Sequence, residues 1–146
     1  MISDVQSAGA MPTLGLMMRF SARRHQVIAH NIANAQTPNF TPADVDVRGF
    51  QAAMRDAIDD RRGGNGGSHG GLAWRGTRDA EPTPGGGLAL SPRAASGNIL
   101  FHDRNNRDVE RMMQTMVENA SVFQAASGFY QRQKGVLTAA IAERVA

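Results

Sequence analysis

Four histidines, His25, His30, His69 and His102, are the side chains of this sequence best suited to hold a metal ion, and their spacing argues against that use. His25 and His30 stand five positions apart, so on a helix they point to different faces, and neither has a second His or a Cys at ligand spacing. His25 reads instead as a polar member of a helical seam. Two carboxylate pairs, Asp44 with Asp46 and Asp59 with Asp60, have the residue type for acid and base work, but nothing around them predicts an apolar pocket to shift a pKa. The run from Gly63 to Gly71 lacks the Gly-Lys-Ser/Thr ending of a phosphate loop and follows no convincing strand, so it reads as a linker. Met112, Met113 and Met116, like Met17 and Met18, could face a soft metal or a lipid, although packing between helices is the commoner use. The absence of cysteine excludes disulfides, thiolate metal sites and cysteine nucleophiles together. The expectation is a protein with no catalytic centre, no cofactor, no metal and no small-molecule substrate.

Charge narrows the class further. Sixteen Lys and Arg against 13 Asp and Glu leave a net +3. The positive charge is nearly all Arg, scattered through both flanks without a stripe of aromatics, which argues against nucleic-acid binding. The first ten residues carry Asp4 and no Lys or Arg, and Leu14-Gly15-Leu16-Met17-Met18 is too short for the apolar core of a signal peptide. No apolar run reaches membrane-spanning length. Export of such a chain would need a route without a cleaved signal.

The elements that could position an interface lie at the two ends. From Pro12, Leu14, Met18, Ser21, His25, Ile28, Ile32 and Ala35 advance by fours and threes, which predicts an amphipathic helix stopped by Thr37-Pro38. Residues 39–62 read as an extended stretch with Val45 and Val47 alternating with Asp44 and Asp46, then a marginal helix over Phe50, Met54, Ala57 and Ile58. Residues 63–98 hold two glycine clusters with Pro82, Pro84 and Pro92, and their few apolar side chains, Leu72, Trp74, Leu88 and Leu90, predict a flexible, largely disordered insert. Asp108 is the expected N-cap of the last helix. Val109, Met113, Met116, Ala120, Phe123, Ser127, Tyr130, Lys134, Leu137 and Ile141 then keep a four-three series, polar only at Ser127 and Lys134, over roughly 50 Å. The predicted fold is mainly α. Residues 1–38 and 99–146 supply N- and C-terminal helices that pair as an antiparallel coiled coil, and the surplus seam of the longer helix is left for another copy or a related chain.

Asn31-Ile32-Ala33-Asn34-Ala35-Gln36-Thr37-Pro38-Asn39-Phe40 resembles the N-terminal signature of flagellar rod, hook and related axial proteins, which read Asn-Ile-Ala-Asn-Ala and then Thr-Pro-Gly-Tyr or Thr-Pro-Gly-Phe. Ala33 and Ala35 are small enough for another helix to approach, and the Asn side chains can bond backbone groups at a helix end. Asn39 stands where glycine is usual and is the other residue that tolerates a left-handed backbone. Ala43-Asp44-Val45-Asp46-Val47 is similar to the run that follows this turn in basal-body rod proteins of the FlgB type. Asp103 to Met113, Glu118-Asn119-Ala120 and Phe123-Gln124-Ala125 are similar to that family's C-terminal stretches. Arg104 and Arg107 depart from it, replacing a glycine and an apolar residue. The resemblance covers roughly residues 13 to 60 and 98 to 143. It implies a structural subunit of the periplasm-spanning proximal rod, exported through the flagellar type III pathway and required for flagellum assembly and motility. Its partners would be other rod subunits, the basal-body adaptor and export-gate proteins, and further copies of itself. The competing expectation is a non-polymerising helical adaptor or export-chaperone-like protein.

Overall fold

The computed structural model describes residues 7–94 and 109–143. Its elements run α1 Met11–Ala33, β1 Ala43–Asp44, α2 Val47–Asn65, β2 Ala80–Thr83, β3 Gly87–Leu90, β4 Arg93–Ala94 and α3 Val109–Glu143. The first turn of α1 holds Pro12, whose missing amide is harmless where no intrahelical acceptor exists. The helix ends before the expected stop at Thr37-Pro38. Asn34 brings its side-chain amide and its backbone N–H onto the carbonyl of His30, at 2.8 and 3.1 Å, and residues 34–36 turn away. Asn39 sits at φ 60°, so the left-handed turn expected of the motif forms without glycine.

The N- and C-terminal helices pack together along their lengths. Asn119 of α3 reaches Ser21 of α1, whereas Gln133, further along α3, lies beside Gly9, ahead of α1, so the pair is antiparallel. The 35 residues of α3 against 23 of α1 correspond to about 52 and 35 Å, and roughly the last ten residues of α3 extend past the start of its partner. Asp108 and the Asp103 to Arg107 stretch, to which the capping and family readings apply, lie outside the described residues. Gly128 and Gly135 sit inside α3, each weakening the lone helix by about 1 kcal/mol relative to Ala.

The Gly/Pro-rich middle carries structure where the sequence alone points to a mobile insert. β2 and β3 form an antiparallel hairpin, with Ala80 opposite Leu90 and Thr83 opposite Gly87. Gly85 and Gly86 at its tip take φ 85° and 78°, values that side chains rarely allow. β1 pairs antiparallel with β4. The marginal helix is a full α2 of 19 residues, started by Asp46, which accepts from the Gly49 amide at 2.9 Å. A Cβ at residue 49 would stand 2.5 Å from that carboxylate, so glycine lets the cap close.

These elements order one another through a shared core of Leu16, Phe20, Val45, Phe50, Ala57, Trp74, Ala80 and Leu88. Phe20 stacks on Phe50 with centroids 3.8 Å apart, and Trp74 meets Phe50 edge-on at 5.6 Å. The middle segment brings too little apolar surface to fold alone. It needs the platform that α1 and α2 present, and each large side chain buried there contributes about 1.5–3 kcal/mol against the entropy of the hairpin.

Candidate functional site

The inner face of α3 follows from which of its side chains are withdrawn from solvent. Asn119 and Ala126 are buried, and Met112, Met116, Phe123, Tyr130, Gln133 and Leu137 are half-buried. This series shares Met116, Phe123, Tyr130 and Leu137 with the seam read from the sequence. Ala120 is half-buried, while Val109, Met113 and Ile141 are exposed, so the observed face is turned by roughly 50° from the expected one. The cause is Asn119, only 4% exposed, whose amide donates to the Ser21 carbonyl at 2.8 Å. A hydrogen-bonded polar residue at the centre of a seam is passed over by any reading based on hydropathy.

On α1, Leu14, Met18 and Ile32 are half-buried and Ile28 is buried. His25 lines a groove of about 380 Å³ beside Gln26, Phe123 and Gln124. Leu16 and Phe20 belong to a second apolar face of the same helix, directed at α2 and the hairpin. The heptad reading missed that face. Their spacing of four is a helical signal, but its partner was hidden in the glycine-rich middle.

The Asn31 to Phe40 motif builds the corner at which α1 hands over to β1. Asn31 donates from Nδ2 to the Ala43 carbonyl at 2.6 Å and accepts the Ala43 amide at Oδ1 at 3.1 Å, so its side chain pairs with the returning strand as a peptide group would. Ala35 is buried, Ile32 half-buried, and Ala33, Thr37, Pro38 and Asn39 are exposed. Phe40 meets His30 edge-on at 5.6 Å. Two turns back, Arg24 grips Asp44 through two bonds of 2.9 and 2.6 Å. Behind β1, the buried carboxylate of Asp79 receives Arg93 Nε at 2.5 Å and the Asp46 amide at 3.2 Å. The hydrogen bond from Arg93 holds the Asp79 carboxyl below its ordinary value of 3.8, against the opposing effect of burial.

The first acidic pair, Asp44 with Asp46, thus serves the fold. Asp44 binds Arg24, Asp46 caps α2, and Asp59 stands 3.6 Å from Arg62 on the surface. Among the described residues no three His, Cys, Asp or Glu side chains gather as a metal site would require, and no helix is long and apolar enough to cross a membrane. Every large hydrophobic side chain that is exposed among the described residues lies on α3: Val109, Met113, Val117, Val122, Phe129, Val136 and Ile141. Such a concentration of exposed apolar side chains on one helix is characteristic of association surfaces. No protein-family model matches the chain, and no curated protein is significantly similar to it.

Proposed function

We propose that this chain is a structural, non-enzymatic subunit of the proximal rod of the bacterial flagellar basal body. The observation that carries this reading is the long antiparallel pair made from the two ends of the chain, with every large hydrophobic residue that is exposed among the described residues on its C-terminal member. A helix that is covered on one side and apolar on others is suited to packing among several neighbours. The Asn31 to Phe40 corner supports the same reading, because the resemblance to axial proteins falls on residues that close the turn between α1 and β1. In this role the chain leaves the cytoplasm through the flagellar type III pathway and joins other rod subunits, the adaptor and export-gate proteins in the periplasm. Deletion of the gene tests it: the cells should grow normally, lack flagella and fail to swarm, with complementation by the intact gene. Motile, flagellated deletion cells would refute it.

A further inference from the structure

The segment ahead of α1 is held from outside itself. Arg61, half-buried near the end of α2, donates from Nη1 to the Gly9 carbonyl at 2.5 Å and from Nη2 to the Ser7 carbonyl at 2.7 Å. Its Nε reaches the His69 carbonyl at 3.4 Å, and the Gly9 amide donates to the Ser68 carbonyl at 3.0 Å. One guanidinium fork thus clasps residues 7–10 against the loop that follows α2. Among the described residues no carboxylate pairs with Arg61, so the whole group is given to main-chain carbonyls. Helping α1 to start does not explain the arrangement. Ala10 supplies no side-chain cap, and a cation beside the positive end of a helix disfavours it. Gly9 has φ 52°, and a Cβ there would stand 3.2 Å from Gln133 Nε2 of α3, so glycine is what lets the segment turn into the clasp.

Both halves of the clasp belong to the middle of the chain. Arg61 is carried by α2, which Phe50 and Ala57 anchor in the shared core, and Ser68 and His69 lead into Leu72 and Trp74, which pack in the same core. We infer that residues 7–10 are a strap whose closure is conditional on the folded middle segment. A chain whose middle is unfolded presents the stretch ahead of α1 as free polypeptide, and folding withdraws it. The coupling is reciprocal: a partner that takes this stretch in extended form opposes folding of the middle, and a folded middle opposes that partner. The partner so defined is a receptor for extended polypeptide, and its reading of this stretch is sensitive to the folded state of residues far along the chain. Export of an unfolded chain supplies such a receptor, so the inference rests on the rod-subunit reading for its setting and is tested apart from it.

The chain has no cysteine, and Ala8 is half-buried and bonds through its carbonyl, so Ala8→Cys makes a single reporter of strap closure. Its thiol should react with a maleimide at least about tenfold more slowly in the folded protein than in urea. Arg61→Gln should remove that protection while the hairpin amides stay protected. Arg61→Lys should do the same, because an ammonium keeps the charge but lacks the fork. Gly9→Val should open the strap by itself and add nothing when combined with Arg61→Gln, since both break one clasp. Trp74→Ala and the milder Leu72→Ala should each speed the reaction in step with the hairpin protection they remove. A parent rate equal to that in urea, an unchanged rate in Arg61→Gln, or a closed strap in a variant whose hairpin amides exchange freely would each overturn the inference. A motile deletion strain with these rates as expected would end the rod reading alone, and an aflagellate one with rates indifferent to Arg61→Gln would end the strap alone.

Discussion

Replacing Asn119 with leucine should leave the protein as stable as before, or more so, while loosening the alignment of its two long helices. The bond from Asn119 to the Ser21 carbonyl spans 98 positions of sequence and is buried. A neutral hydrogen bond of this kind contributes about 0.5–1.5 kcal/mol net, and a buried leucine about 1.5–3 kcal/mol. Asn119→Leu should therefore shift the melting temperature by about 0 to +4 °C, whereas Asn119→Ala, which loses the bond and leaves a cavity, should lower it by about 3–6 °C. Register responds differently. Met116, Phe123, Tyr130 and Leu137 recur every seven residues, so without the polar pin α3 can slide one heptad along α1 and still bury apolar side chains. Ala22 and Ala120 face the same groove beside this bond, and cysteines introduced at both should cross-link efficiently in the parent. The yield should fall in the Asn119→Leu background despite the retained melting temperature. An undiminished yield there would show that register is fixed elsewhere, and the role assigned to Asn119 would be wrong.

Because the folded pKa of Asp79 is depressed, its contribution is fully present above the ordinary value near 3.8 and is lost as pH falls through the lower folded value. The melting temperatures of the parent and Asp79→Asn should differ at neutral pH and converge in that acid window; a constant gap would refute the assignment. Trp74→Ala should cost about 3–5 kcal/mol and abolish amide-exchange protection in β2 and β3, while α1 and α3 remain protected. Protected hairpin amides in that variant would show that the packing of Trp74 on Phe50 is dispensable for the hairpin. Leu137→Asp, at a half-buried position near the overhanging end of α3, should cost the isolated chain under about 1 kcal/mol yet prevent flagellar assembly, since an unpaired charge buried between subunits costs several. Wild-type swarming of that strain would place this stretch in solvent.

The pairing of the two ends was legible because both helices repeat at threes and fours over many turns. No local signal competes with such a pattern. The hairpin was not, although Pro84-Gly85-Gly86 followed by alternating Leu88 and Leu90 is a turn-and-strand signal. Its stability comes from Leu16, Phe20 and Phe50, dozens of residues away, and composition within a window cannot report a platform supplied by other elements. The same limit applied to α2, whose spacing was visible but whose partner was not. On α3 the face withdrawn from solvent shares Met116, Phe123, Tyr130 and Leu137 with the series read from the sequence; it takes Asn119 ahead of Ala120, which hydropathy ranks the other way, and Met112 ahead of Met113, which hydropathy cannot separate. Asn31 was recognised as a motif residue, but its two bonds to Ala43 depend on how the chain returns after Pro42.

The side chain of Asn31 has a further effect on how this molecule meets others. A strand as short as β1 offers its outer backbone groups to any passing chain, and pairing along such an edge is the common route to unintended sheets. Here both backbone groups of Ala43 are already engaged by one amide projected from the end of α1. That corner is closed to strand addition. In the proposed rod role, a subunit that travels unassembled gains from having the β1 edge at Ala43 sealed by a residue of its own first helix.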